Sequence, residues 1–289
     1  MASSDRTVSR ELAQRILSDF SLEMTGKDLH QLAAARESIP AGTRINITFL
    51  GNEDLSLRVT AAIAIKDAGF VPVPHIAARR LPSAEMLEEF LTALEENGVS
   101  RSVFVVGGDP ASPEGPYSDS LDVLKTGLLG AHGVSEVGIS GYPEGHPYID
   151  DGTLWSALER KRDLLDEQGI PGVIVTQFGF DVDRIASWVE EVRGRGIDLP
   201  LRIGVPGPAG VRRLLSYASR FGVGTSAGIA KKYGFSITNL LGTAGPGTFI
   251  NSLAERHDRE RYGDLKLHFY TFGGLKATSE WAEGFRGEA

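Results

Sequence analysis

Apolar residues recur along this chain in two periods that take turns. Short runs with every second residue apolar, or nearly every residue apolar, alternate with longer stretches whose apolar residues fall three or four apart. The first kind predicts strands at Phe20–Met24, Thr43–Phe49, Phe70–Ile76, Ser102–Val106, Val134–Ile139, Gly172–Gln177, Leu199–Val205 and Leu265–Thr271. The second kind predicts a short N-terminal helix at Val8–Ser18. It then predicts helices at Leu29–Glu37, Leu55–Asp67, Leu87–Asn97, Ser120–Leu129, Thr153–Gln168, Val182–Gly194, Val211–Phe221 and Phe249–His257. Gly98 reads as a helix stop. The stretch from Gly222 to Gly247, rich in Gly and Thr, fits neither period.

Strand and helix alternate along the whole chain, which implies parallel strands, because each return crossover needs a helix. Ser102–Val106 is a continuous apolar run, the mark of a strand covered on both faces. The expected fold is therefore α/β, a (β/α)₈ TIM barrel that takes residues 1–289 as a single domain. A doubly wound open sheet is the competitor, and the glycine-rich phosphate fingerprint it would carry after its first strand is missing.

Composition narrows the functions. With 41% hydrophobic and 24% charged residues, the chain reads as a soluble globular protein with ample core. No run approaches the roughly 18 apolar residues of a membrane span, and the start lacks a signal peptide's apolar segment. A cytoplasmic protein with no membrane partner is the expectation. The absence of cysteine excludes disulfides, thiolate metal sites and a Cys nucleophile. A net charge of −8 argues against a large nucleic-acid footprint, though not against a small anionic ligand.

In such a barrel the chemistry sits at the C-terminal strand ends. Glu23 falls near the end of the first strand in an apolar setting, Thr48 near the end of the second, and His75 closes the third. Asp109 follows the fourth in Gly107-Gly108-Asp109-Pro110. Tyr142 and His146 follow the fifth in the shaped loop Gly141–Pro147, Gln177 closes the sixth, and the seventh runs into Pro206-Gly207-Pro208. Each of these has an ordinary structural explanation alone; six strand ends carrying them together point to a site. No Ser or Cys nucleophile elbow and no Walker loop is present. One Glu and one Asp on different strands suit divided acid and electrostatic roles. His75, His146 and Asp109 lack the HxH or HExxH spacing of a metal centre, so no metal is expected. Gly107-Gly108 admits close backbone approach to something flat or to a phosphate. With Tyr142 as a stacking surface, a large planar cofactor suits these residues better than an ion.

At these residues the sequence resembles the methylenetetrahydrofolate reductase family. The motifs are Ser21-Leu22-Glu23, Gly108-Asp109-Pro110, Gly141–Pro147, Thr176-Gln177-Phe178 and His268-Phe269-Tyr270-Thr271, in the family's order. The resemblance implies FAD, with NADH or NADPH as hydride donor and methylenetetrahydrofolate as substrate, in the one-carbon metabolism that serves methionine biosynthesis. It implies that Glu23 is the general acid and that Asp109 lies between flavin and pterin. Thr48, Phe49, Gly51, His75, Gly107, Gly108, Asp109, Tyr117, Ser118, Tyr142, His146 and Lys161 match cofactor-binding positions, with Arg160 nearly as good a match as Lys161. Asp109, Gln177, Arg213 and Tyr217 match substrate-binding positions.

The sequence departs from the pattern at Gly107, where the family has arginine, and at Thr25-Gly26, where it has Pro-Pro. It departs again at Gly274, where the family continues with Asn-Arg and where Lys276 is a nearby substitute. No regulatory domain is expected after the barrel, and a homo-oligomer is left open. The alternatives are a flavin-independent reductase of the same fold, a metal-assisted barrel lyase or hydrolase, and a non-catalytic folate-binding protein.

Overall fold

In the computed structural model, which describes residues 11–51, 53–220 and 243–287, eight parallel strands close into a barrel. They are β1 (Ser21–Met24), β2 (Arg44–Ile47), β3 (Val71–Ala77), β4 (Ser102–Val106), β5 (Glu136–Gly141), β6 (Gly172–Phe178), β7 (Leu201–Pro206) and β10 (Leu265–Tyr270). Between the last two lies a separate antiparallel pair, β8 (Ala209–Gly210) with β9 (Thr243–Ala244). The barrel order is β1-β10-β7-β6-β5-β4-β3-β2. Around it run α1 (residues 11–17), α2 (Leu29–Ala35), α3 (Leu55–Asp67), α4 (Ala84–Glu96), α5 (Ser120–Leu124), α6 (Leu128–Ala131), α7 (Asp151–Gln168), α8 (Val182–Gly194) and α9 (Val211–Arg220). Helices at Gly247–Arg256, Arg259–Tyr262 and Leu275–Gly287 complete the described chain.

The period-two alternation sorts residues into two shells. Leu22, Met24, Ile45, Ile47, Leu267 and Phe269 point outward and are buried under the helices in the main core. Their neighbours Ser21, Glu23, Asn46, His268 and Tyr270 share the other face, so the barrel interior is polar along β1, β2 and β10. Val73, Phe104, Val175 and Val106 form a small apolar plug apart from the main core. Gly138 makes room for it, since a Cβ there would lie 2.6 Å from the Phe104 ring. Charge closes the N-terminal end. Arg44 at the start of β2 pairs with Glu136 at the start of β5, and Arg202 donates to the carbonyl and carboxylate of Asp19 at 2.8 and 2.7 Å.

Most predicted elements stand within two residues of their expected bounds; α4 begins at Ala84 rather than Leu87, the helices at Arg259–Tyr262 and Leu275–Gly287 were not expected, and three further differences stand out. The helix expected at Ser120–Leu129 is two, α5 and α6, because Gly127 takes φ +71° between them. Val134 does not open β5. Its amide bonds to the Leu129 carbonyl at 3.0 Å just after Gly133 at φ +74°, so it finishes the helix and the strand begins at Glu136. The β8–β9 pair was not anticipated. Residues 8–10 of the expected N-terminal helix, Phe221, and most of the Gly222–Gly247 stretch lie outside the described residues. No helix among the described residues is long and apolar enough to cross a membrane.

Candidate active site

Glu23 sits next to last on β1, its side chain 17% exposed, with Oε2 3.8 Å from Nε2 of His268 on the adjacent β10. That exceeds hydrogen-bond range but is within reach of ion pairing. His268 is 1% exposed and is tied by Nδ1 to the Ser21 hydroxyl at 2.9 Å. The Thr271 hydroxyl donates to the Glu23 carbonyl at 2.6 Å and so joins the ends of β1 and β10. The surroundings of Glu23 thus differ from the apolar setting expected from sequence. Its inner-face neighbours are an imidazole and a phenol, because every second residue of His268-Phe269-Tyr270 faces inward. Tyr270 donates to the Thr176 carbonyl at 3.1 Å, and burial first, then Glu23 and Tyr142, push its phenol well above its ordinary range. Tyr270 thus lies close enough to feel the charge of both Glu23 and Tyr142.

His75 lies deeper. Asn46 Nδ2 donates to its Nε2 at 3.2 Å, its ring meets Phe104 edge-on, and burial, with His268 and Arg58 adding to it, pulls it down to about 3. It is a neutral imidazole over the working pH range. Arg58 is itself buried: it donates to the His75 carbonyl at 3.2 Å, and its guanidinium lies 3.4 Å over the Phe49 ring, so that face of Phe49 is covered. Thr48 is fixed by its amide to the Met24 carbonyl at 2.9 Å.

Past β5, the loop turns tightly, with the Gly145 amide bonded to the Tyr142 carbonyl at 3.0 Å and Gly145 at φ +80°. Tyr142 and His146 are partly buried and meet edge-to-face at 5.5 Å. His146 Nδ1 accepts from the Tyr148 amide at 3.2 Å, so the neutral ring carries its proton on Nε2. Burial lowers His146 and raises Tyr142, the latter opposed by a hydrogen bond with Ser140. Glu144 anchors this loop to the next, accepting from the Phe180 and Asp181 amides at 2.6 and 2.9 Å. Behind it, between α7 and α8, a cavity of about 230 Å³ is lined by Trp155, Trp188, Arg184 and Glu191. It reaches the end of β5 and the loop at Ser140–Pro143 and Gly145, but not Glu23, His75 or Gln177.

Gln177 stands where β6 slips register against β7, between Val175 and Phe178. Such a bulge re-aims its side chain. Thr176 holds it, donating to the Gln177 carbonyl at 3.0 Å and accepting from the Gly204 amide at 2.8 Å. The Gln177 side-chain amide forms no hydrogen bond among the described residues.

Asp109 is exposed beyond β4, its side chain 69% accessible, and is paired with Arg80 at 2.6 Å. Before it, Gly107 has open space where a Cβ would stand, and Gly108 takes φ +94°. On the same flank Ser118 is exposed with its amide on the Asp122 carboxylate at 2.9 Å. Lys161 of α7 is buried near Asp119; burial lowers its amine to about 8. Arg160 beside it is exposed, so Lys161 is the inward residue of the two.

Tyr117 is buried near Glu85 of α4, and burial raises its phenol. Arg213 donates to the Phe272 carbonyl at 2.7 Å, and Tyr217 stacks on the Phe272 ring at 4.0 Å. Lys276, the substitute offered for the departure at Gly274, is paired with Glu280. Gly274 itself needs its residue type: φ is +104°, and a Cβ would lie 3.0 Å from the Gln31 amide oxygen. Thr25, at another departure, has its amide on Asp28 at 2.9 Å and its hydroxyl at 2.7 Å, a side-chain-held turn replacing prolines. The three donors offered for a metal are not brought together, and among the described residues no group of three or more His, Asp or Glu is placed to share an ion.

The sequence reading missed His268, Tyr270 and Asn46 as site residues, although strand alternation places each beside a named one. It also missed Arg80, signalled only by two arginines directly after a strand end.

Comparison with known proteins gives one family. A family model for methylenetetrahydrofolate reductase matches residues 26–219, a span that leaves out Glu23, His268 and Tyr270. Methylenetetrahydrofolate reductase 2 of Saccharomyces cerevisiae is 27% identical over 140 residues, covering 45% of this chain and 22% of that protein. Methylenetetrahydrofolate reductase 1 of Schizosaccharomyces pombe is 30% identical over 131 residues, covering 43% and 21%. Methylenetetrahydrofolate reductase (NADH) 1 of Zea mays is 28% identical over 145 residues, covering 46% and 24%. The matches thus span less than a quarter of the length of these relatives. A solved structure of dihydropteroate synthase from Thermus thermophilus aligns over 96% of each chain at 12% identity and a TM-score of 0.49, too slight a likeness to carry weight.

Proposed function

Since the chain belongs to the methylenetetrahydrofolate reductase family, we propose that its barrel mouth reduces methylenetetrahydrofolate to methyltetrahydrofolate, drawing on NADH or NADPH through FAD. The observation that carries this reading is the company of Glu23: a carboxyl near the end of β1, beside a buried imidazole tied to Ser21. In the reduction a hydride reaches the methylene carbon, the carbon–nitrogen bond of the five-membered ring breaks, and the freed nitrogen takes a proton. Glu23 gives that proton, and His268 is suited to return one to Glu23 between turnovers. Asp109 bonds the pterin, and the Gln177 amide, with no hydrogen bond of its own among the described residues, receives folate and nicotinamide in turn.

A flat cofactor bearing phosphates suits the remaining residues. Gly107 and Gly108 offer bare backbone, Thr48, Tyr142 and His146 offer partly buried polar groups, and Lys161 keeps a buried amine on the flank. FAD, when bound, would supply the two-electron relay between nicotinamide and folate. His75, enclosed below, would support this floor through Asn46 rather than reach a ligand itself.

The test is the visible spectrum of the purified protein. Flavin absorbance bleached by NADH and restored by methylenetetrahydrofolate is the expected result; a colourless protein that stays inactive with added FAD overturns the flavin. One observation favours a second reading, direct hydride transfer from nicotinamide to folate without flavin: Gly107 brings no guanidinium to the end of β4. Turnover by flavin-stripped protein would support it, and strict FAD dependence would exclude it.

A further inference from the structure

The loops after β3 and β4 are fastened to one another, the loop after β2 packs against them at Gly51, and Arg80 is the common member. The Arg79 amide donates to the Gly107 carbonyl at 2.9 Å, and the Glu114 amide to the Arg79 carbonyl at 2.8 Å. Arg80 reaches from this seam to Asp109, with Nε 2.8 Å and Nη2 2.6 Å from the same carboxylate oxygen, and Nη1 lies 3.7 Å from Glu114. Its side chain is only 18% exposed although Asp109 is mostly in solvent. The reason is Gly51. A Cβ at position 51 would lie 2.0 Å from Arg80 Nη1 and 2.6 Å from Cζ, so the guanidinium occupies the space that a larger residue would fill. Gly51 is not among the glycines with a positive φ, so close approach is the reason the structure offers for glycine there.

We propose that Arg80, in the turn after β3, is a positioning residue for Asp109, seated by Gly51. The proposal rests on the functional reading above, in which Asp109 meets the pterin. A carboxylate on a free loop would sample many rotamers; two donors from one planar fork hold one oxygen and leave the other for ligand. Lysine, a single-point donor on a flexible stem, would keep the charge and lose the fork. An ion pair whose carboxylate is mostly in solvent adds little to folding, so Arg80 can be removed with the barrel intact. Alanine at position 51 meets the far end of a flexible side chain and evicts Arg80 without disturbing backbone.

The test is calorimetric binding of methyltetrahydrofolate to the purified protein. Arg80→Ala should weaken binding about tenfold, and Arg80→Lys should recover only part of that loss. Arg80→Ala should cost nothing further in an Asp109→Asn background. Gly51→Ala should reproduce Arg80→Ala and add nothing to it. Additive losses, or unchanged binding in Arg80→Ala, overturn the proposal while the functional reading stands. A wild-type protein that binds no folate overturns both.

Discussion

Lys161 offers a sharp test of how the cofactor flank is built. Lys161 is 6% exposed on α7, and burial holds its amine at about 8, with Asp119 pulling the other way. In the unfolded chain it returns to its ordinary 10.5. Between those values the unfolded chain binds a proton that the folded chain does not, so stability rises with pH through that window. Below about pH 8 the full penalty applies. The difference, 10.5 − 8 = 2.5 units, at ~1.36 kcal/mol each amounts to ~3 kcal/mol. Lys161→Met keeps the length of the side chain and removes the charge. It should therefore stabilise the protein by as much as ~3 kcal/mol near neutral pH, raising the thermal midpoint by roughly 6–10 °C. Circular-dichroism melts near neutral pH and near the unfolded-state value should show the gain shrinking to nothing. If Lys161 serves FAD as proposed above, flavin affinity should fall as stability rises. A destabilised Lys161→Met, or a gain that does not change with pH, would refute the reasoning.

Three further outcomes follow from the geometry. Glu144→Ala takes away the acceptor of the Phe180 and Asp181 amides; it should cost ~1–3 kcal/mol in urea denaturation and speed proteolysis of the 142–148 loop. Gly204→Ala puts a Cβ 2.4 Å from the Thr176 carbonyl oxygen, so it should strain the β6–β7 bulge by ~1–3 kcal/mol and weaken folate binding at Gln177. His75, held near 3 when folded against an ordinary 6.5, makes stability fall as pH drops between those values, because only the unfolded chain then binds the proton. Urea midpoints of wild type and His75→Gln, taken above and inside that window, should show a steeper acid loss in wild type.

The barrel was legible because each strand's pattern reports burial on two faces, and Ser102–Val106 kept its expected bounds to the residue. What escaped were features decided by backbone conformation and by partners distant in sequence. Gly127 splits a helix whose apolar spacing runs straight through it, and Val134 is apolar because it packs after a helix stop rather than in a strand. The strand-end rule put Glu23, Asp109 and Gln177 at the barrel's C-terminal end because it needs only position along the chain. It could not find His268, whose importance comes from strand closure bringing β10 beside β1. Nor could it find Arg80, whose place depends on a glycine 29 residues earlier and a carboxylate 29 residues later. The apolar setting expected for Glu23 failed for the same reason: its along-chain neighbours are apolar, but they point out of the barrel.

The most direct test of the account is formation of methyltetrahydrofolate from methylenetetrahydrofolate and NADH by the purified protein supplied with FAD, compared with Glu23→Gln. The account predicts product from the wild type and a loss of ~10²–10⁴ in turnover in the variant, with folate binding retained. No product from a folded, flavin-loaded wild type, or undiminished turnover in Glu23→Gln, would contradict it.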